Sequence, residues 1–310
     1  MPAIREPLIV DHDGAVDDLM ALLLVSTFDH VDLRAVVVTE ADCFAQPAVS
    51  ASHSILRLAG RRDVPVGLST ARPVNPFPSE WRMASWMIDG LPILQATLDG
   101  TQRVVEHGEA LLARALREVD RPVTVLVTGP LSCLAAVLRD EPALERRIDR
   151  VVWMGGAVRV RGNVSPFMEH GHDGSAEWNA YWDPFAVAAV WDTDLRLVVC
   201  PVDVTEAEGL APRDLTAGLV AQRAHPLSDL AGQAYALVRH IRDYFLWDVT
   251  TAGFLAWPEL YTVEHVPTRA IAEGPSEGRI LPDDGGRPVE VLTAVDADRL
   301  SERLLAQWAR

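Results

Sequence analysis

Apolar residues occur in two patterns along the chain. Unbroken runs rich in Val, Ile and Leu at 8–11, 33–39, 64–69, 123–128, 151–154 and 195–199 read as strands. Between them, residues 16–27, 47–58, 106–119, 131–138 and 184–191 carry the three-to-four spacing of helices. Strands that are apolar on both sides are expected where helices cover both faces of a sheet. Strand and helix alternating this often predict an α/β fold with an open, mostly parallel central sheet and helices on both faces, Rossmann-like in architecture. The Pro-rich segment 71–81 reads as a loop. The last third is less regular, with helices expected over 229–242 and 245–255 and a hairpin within 272–291. No linker, low-complexity tract or repeat interrupts the pattern. Residues 1–310 are therefore expected to form one domain, with loop insertions near 70–90, 159–177 and 270–288.

Composition narrows the chemistry. Apolar residues make up 49% and charged residues 23%, as in soluble globular proteins, so a large core needs no disulfide or metal staple. The formal charge is −16, which opposes binding to nucleic acid or an anionic membrane and leaves small neutral substrates and cations. All 28 basic residues are arginine. Lysine Schiff bases and lysine phosphate-binding loops are thereby excluded. Cys43, Cys133 and Cys200 are widely spaced, without a C-x-x-C pair, so a reducing compartment is expected. The first residues lack a signal-peptide core, and no apolar run reaches the ~18 residues of a membrane span. A soluble, cytoplasmic protein is expected.

The densest chemical signal is LIVDHDGAVDD at 8–18. It sets Asp11, Asp13, Asp17 and Asp18 at the end of the first strand and the start of the first helix, where open α/β sheets place their ligands. One or two aspartates are explained by helix capping and the helix dipole; four repel one another and call for a bound cation. Carboxylate donors without clustered Cys or His favour a hard ion. Read alone, DHDG also fits the D-x-D-G of haloacid-dehalogenase-like phosphatases, with Asp11 as nucleophile and Asp13 as acid/base. Such enzymes usually also need a lysine or arginine to hold the phosphoryl oxygens; the chain has no lysine, and a charge of −16 is an unwelcoming setting for phosphate esters.

Five segments in order resemble the inosine-uridine preferring nucleoside hydrolases. DHDGAVDD is similar to their D-x-D-x-G-x-D-D, with the glycine displaced by one position. VTVLVTGPLSCLA at 123–135, VVWMGGAVRVRGN at 151–163, SAEWNAYWDPFAVAAV at 175–190 and FLWDVTTAGFL at 245–255 resemble the later segments. The resemblance runs from residue 8 nearly to the end and marks the chain as a divergent member. It implies calcium-dependent hydrolysis of the N-glycosidic bond of a ribonucleoside to free base and ribose, a role in nucleoside metabolism such as purine salvage, and a homodimer or homotetramer. It implies Asp13 as general base on a calcium-bound water and as metal ligand. Asp18, Asp248 and the carbonyl of Thr128 complete the implied ligand set. Asp17, Glu177 and Asn179 are implied at the sugar hydroxyls, with Met154 and Asn163 lining the sugar side. Asp11 is expected to support the loop from behind.

Departures from the family pattern shape the remaining expectations. The family's T-x-A-G-N is replaced by VVVTEADCF, so Asp42 or Cys43 takes the place of its sugar-binding asparagine. The family's H-G-x-x-G is replaced by PFPSEWRMASW, with Trp81 and Trp86 as candidates for contact with the base. Trp247 stands where many members carry a histidine acid, which resembles the purine-preferring branch and gives a purine-leaning expectation through stacking. His172 or His170, in MEHGHDGSAEWN, is the candidate acid for the leaving group. Two further alternatives are an unusual nucleoside-like metabolite as substrate and a non-catalytic, calcium-dependent nucleoside or sugar binder.

Overall fold

The computed structural model of the chain describes residues 5–98 and 104–310. Among these, ten strands form one sheet: β1 (Glu6–His12), β2 (Val31–Val38), β3 (Val66–Leu68), β4 (Val105–His107), β5 (Val123–Val127), β6 (Ile148–Met154), β7 (Leu197–Cys200), β8 (Tyr261–Ala270), β9 (Ile280–Pro282) and β10 (Arg287–Val295). Their order is β4-β3-β2-β1-β5-β6-β7-β10-β8-β9. Pairing is parallel from β4 through β10, and β8 and β9 add antiparallel at one edge. The mostly parallel α/β architecture expected from the sequence is the one observed.

Residue alternation along each strand divides the core. In β1, Leu8 and Val10 pack into the cluster on one face, while Ile9 packs into the cluster on the other. The helix Val16–Ser26 is buried along its whole length, which explains its near-continuous apolar sequence. It lies between the sheet and the helices Pro226–Val238 and Trp247–Gly253. From β1 the chain builds β2, β3 and β4 to one side, then crosses to β5 on the other. The loops after β1 and β5 therefore meet at a point where strand order reverses, the crevice in which open sheets bind ligands.

Several expected elements shift. The helix expected from 106 starts at Gly108, because Val105–His107 pair with β3 as a short edge strand. The loop at 71–81 leads into a 3-10 turn, Trp81–Met83, and a helix, Ala84–Asp89. The helices expected at 229–242 and 245–255 run Pro226–Val238 and Trp247–Gly253. The hairpin expected within 272–291 does not form. Ile280–Pro282 and Arg287–Val295 instead flank β8 on opposite sides, so that Thr268 pairs with both Pro282 and Arg287. The ten-residue strand β8 has few apolar positions and contains Pro267, so the apolar pattern does not reveal it. The three cysteines are buried and free. No helix among the described residues is long and apolar enough to cross a membrane.

The C-terminal helix Ala297–Trp308 buries Leu300, Leu304 and Trp308, one turn apart. Trp308 packs against Tyr235 with ring centroids 6.4 Å apart. Trp308→Ala is expected to cost about 3–5 kcal/mol of unfolding free energy, the range for truncating a buried aromatic. Urea denaturation checks this, and a loss below about 1 kcal/mol would show that the helix contributes little to the core.

Candidate functional site

The crossover between β1 and β5 floors a cavity of about 390 Å³. Asp13 and Asp42 line it from the loops after β1 and β2, Asp17 and Asp18 from the first turn of the helix Val16–Ser26, Thr128 from the end of β5, and Asp248 from the first turn of the helix Trp247–Gly253. Gly14 permits the acidic turn. Its φ is +79°, and a Cβ there would lie 2.7 Å from Ala48 Cβ and 2.8 Å from Cys43 Cβ. Gly129 lets the turn after β5 close on Asp13, since a Cβ at 129 would lie 2.8 Å from the Asp13 Cβ.

Hydrogen bonds give these carboxylates different tasks. Asp18 ties the loops together: its Oδ1 accepts from the Asp13 amide (3.2 Å) and the Thr128 hydroxyl (2.6 Å), and its Oδ2 from the Ala15 amide (3.1 Å). Asp17 accepts from the Tyr235 hydroxyl at 2.6 Å and from the amides of Asp248 and Val249 at 2.6 and 3.0 Å. It therefore anchors the start of a distant helix as well as lining the cavity. Asp42 lines the cavity, whereas Cys43 packs behind Gly14 and directs its thiol at the Thr39 carbonyl. Of the two, Asp42 is the one that lines the cavity. Asp11 lies outside the cavity lining and accepts from the Thr39 hydroxyl at 3.0 Å.

Burial raises the carboxyls of Asp13, Asp42 and Asp248 well above the usual range, and the charge of Asp18 raises each further. Burial also pushes Asp17 to about 7 and Asp11 to about 8. Asp13 Oδ2 and Asp42 Oδ1 are buried and have no hydrogen-bond partner. Orphaned acceptor oxygens beside a backbone carbonyl are the donor chemistry of a hard cation. Asp13, Asp18, Asp248 and the Thr128 carbonyl thus fit a divalent ion by donor type. Among the described residues, no group of three or more His, Cys, Asp or Glu side chains stands in a geometry that would hold a metal by itself.

The next wall is built on the segment after β6. Glu177 caps the short helix Trp178–Trp182, accepting from the amides of Asn179 (2.8 Å), Ala180 (3.2 Å) and Gly156 (2.9 Å). Asn179 donates to the carbonyls of Thr128 (2.9 Å) and Met154 (3.1 Å). Asn163 accepts from the Trp178 amide at 3.2 Å. All four expected sugar-side residues, Met154, Asn163, Glu177 and Asn179, line the cavity.

The remaining walls are aromatic. Trp81 packs edge-on against Trp178 at 5.1 Å, with Phe77 beside both. Trp247 packs against Tyr244 at 4.8 Å and Phe245 at 5.8 Å. Sequence reading missed Phe77, Trp178, Tyr244, Phe245 and Glu206. Glu206 had a usable signal, because it follows β7 and so lies at the carboxyl edge of the sheet. Trp86 is 49% exposed and does not line the cavity. His172 is a correction. Its Nε2 lies 3.1 Å from the Glu277 carbonyl, its Nδ1 accepts from the Gly174 amide, and its ring packs on Tyr181 away from the cavity. With both nitrogens held by backbone, it anchors loops and is not placed to protonate a leaving group. His170 is exposed and also lies outside the lining.

Burial raises Glu177 to about 7 despite its three amide donors. The folded state therefore keeps a proton that the unfolded chain releases near pH 4.5. This contribution to stability is present below that pH and is lost as pH rises through about 7. In chelator-treated protein, Glu177→Gln should flatten the decline of the unfolding midpoint between about pH 4.5 and 7. An unchanged slope would show that Glu177 does not carry it.

The chain is similar to known proteins in sequence and fold. The model of the inosine-uridine preferring nucleoside hydrolase family matches residues 8–302. The pyrimidine-specific ribonucleoside hydrolase RihA of Photobacterium profundum is 30% identical over 217 residues. That match covers 68% of this chain and 65% of RihA, just under two thirds of the relative's length. Probable uridine nucleosidase 1 of Oryza sativa subsp. japonica is 25% identical over 288 residues, covering 91% of this chain and 86% of the relative. The crystal structure of an inosine-uridine preferring nucleoside hydrolase from Bacillus anthracis superposes with a TM-score of 0.90 at 37% identity, covering 98% of this chain and 99% of that one. The phosphatase alternative falls with these matches, and Asp11, the nucleophile it needs, lies outside the cavity lining. On the family match across nearly its whole length, the chain belongs to the inosine-uridine preferring nucleoside hydrolase family.

Proposed function

We propose that the protein hydrolyses the N-glycosidic bond of a ribonucleoside, uses calcium, and leans toward purines. The observation that carries this reading is one cavity lined both by carboxylates with a strand-end threonine and by indole and phenyl rings. Asp13, Asp18, Asp248 and the Thr128 carbonyl are the proposed calcium ligands; a bound Ca²⁺ would supply a fixed positive charge that orients sugar hydroxyls and lowers the pKa of a water. Asp13, with an unpartnered oxygen, takes the proton from the attacking water. Asp17, Asp42, Asn163, Glu177 and Asn179 orient the sugar, with Met154 beside them. As the C1′–N bond lengthens, positive charge grows on the sugar, and the surrounding carboxylates stabilise it. Trp81 and Trp247 flank the base and keep water from its faces.

Paired aromatic walls offer more stacking area to a two-ring base, which supports the purine-leaning reading. The name of the RihA relative favours pyrimidines as the second reading. A homodimer or homotetramer stays part of the proposal, on the family resemblance.

Ribose release from a panel of purine and pyrimidine nucleosides, with and without a chelator, tests the reaction. Chelator-sensitive release is expected. Tight binding without release would support the non-catalytic alternative, and release only from modified nucleosides the unusual-metabolite alternative. Asp13→Asn should lower kcat by about 10²–10⁴-fold, the usual contribution of a general base, with the thermal midpoint little changed. Undiminished turnover would remove Asp13 from the mechanism. Trp247→Ala should reduce kcat/KM for purine nucleosides by about tenfold or more, equivalent to about 1–3 kcal/mol of stacking, and for pyrimidines by less. Equal losses would defeat the purine-leaning reading.

A further inference from the structure

Departure of the base needs a proton, and among the described residues no histidine lines the cavity. Trp247 occupies the position where many members carry a histidine acid, and an indole N–H donates hydrogen bonds but does not give up its proton. Resting on the hydrolase reading above, we propose that Glu206 is the general acid that protonates the leaving base.

Glu206 lies just past the short helix Val202–Thr205 that follows β7, and it lines the cavity. Its Oε1 accepts from Trp247 Nε1 and from Asn163 Nδ2, each at 3.2 Å. It is therefore held between a proposed base wall and a proposed sugar contact, where the glycosidic bond must run. Both bonds fall on Oε1, leaving Oε2 to carry a proton toward the ligand. Of the other carboxylates in the lining, Asp13, Asp18 and Asp248 are the proposed metal ligands, Asp42 is a proposed sugar contact, and Asp17 and Glu177 each accept three hydrogen bonds. Asp243 also lines the cavity, but Glu206 is the carboxylate that bonds both Trp247 and Asn163. Burial and the nearby charge of Asp243 raise the Glu206 carboxyl above its usual range, against the lowering effect of the Trp247 and Asn163 donors. The charge of Glu206 in turn adds to the burial that raises the Glu177 carboxyl.

The step balances. The C1′–N bond breaks with its electron pair going to the base nitrogen, and the Glu206 proton passes to a ring nitrogen of the base, leaving a carboxylate. Water adds to C1′ and gives its proton to Asp13. Asp13 then releases its proton to solvent and Glu206 takes one up from solvent, so the sum is nucleoside plus water to ribose plus base.

The test compares two substrates of wild type and Glu206→Gln, which keeps an acceptor for Trp247 and Asn163 but has no acidic proton. One substrate is the nucleoside that wild type cleaves fastest. The other is 4-nitrophenyl β-ribofuranoside, whose leaving group departs unprotonated. The variant should lose about 10²–10⁴-fold in kcat on the nucleoside, the usual share of a general acid, and stay within about threefold on the nitrophenyl riboside. Glu206→Asp, a shorter acid, should recover part of the nucleoside rate. Equal losses on both substrates, or full nucleoside activity in Glu206→Gln, would overturn the assignment. If wild type cleaved neither substrate, the hydrolase reading itself would fail, and this assignment with it.

Discussion

Mutual repulsion among buried carboxylates is the constraint around which the molecule is arranged. Asp13, Asp17, Asp18, Asp42 and Asp248 line one cavity together, and burial opposes the charge of most of them. The fold answers with geometry. Asp18 is fastened to the Asp13 amide and the Thr128 hydroxyl, which locks the loop after β1 to the end of β5. Asp17 is fastened to the start of the helix that carries Asp248. The acids that would repel one another are thus also the struts that fix their own spacing. The two orphaned oxygens, on Asp13 and Asp42, mark where that internal satisfaction stops and a ligand is needed.

Support for this cluster reaches far from it. Tyr235 donates to Asp17, and its ring also packs against Trp308 near the chain's end. The C-terminal helix thereby steadies a hydroxyl that steadies a carboxylate at the start of the first helix. A core substitution at Trp308, far in sequence from every acid of the cluster, acts on the site through that chain of contacts.

How much of this was legible in the sequence depended on whether the signal was local. The acidic turn was legible because strand, glycine and four aspartates are contiguous, and strand ends are where open sheets bind ligands. The cavity-lining Thr128, Met154, Asn163, Glu177 and Asn179 were legible through motifs that keep their order along the chain. Asp42 against Cys43 was not, since adjacent residues in a loop give no periodicity to say which points inward; Cys43 packs against Gly14, while Asp42 lines the cavity. His172 misleads because an H-x-H beside an acidic motif looks chemical, while its ring is held by backbone groups at 174 and 277. The strands flanking β8 read as a hairpin because Gly-Gly between apolar runs is a turn signal, and nothing local reveals a third strand between them. Phe77 and Trp178 join the site by tertiary approach, whereas Glu206 could have been found from its place after β7 at the carboxyl edge of the sheet.

The cavity's carboxylates and rings are not independent. Trp247 and Asp248 are consecutive at the start of one helix, the first facing the aromatic wall and the second the carboxylates. Asp17 holds the amides of residues 248 and 249, so it fixes the height of both side chains at once. Glu206 then bonds Trp247 from the side of β7, and Asn163 links the same carboxylate to the wall after β6. A displacement of the helix start would move the base wall, the proposed acid contact and one proposed metal ligand together. Bond cleavage at C1′ needs the water, the sugar and the base aligned simultaneously. Building polar and aromatic lining on adjacent residues of one capped helix makes that alignment a property of a single rigid element.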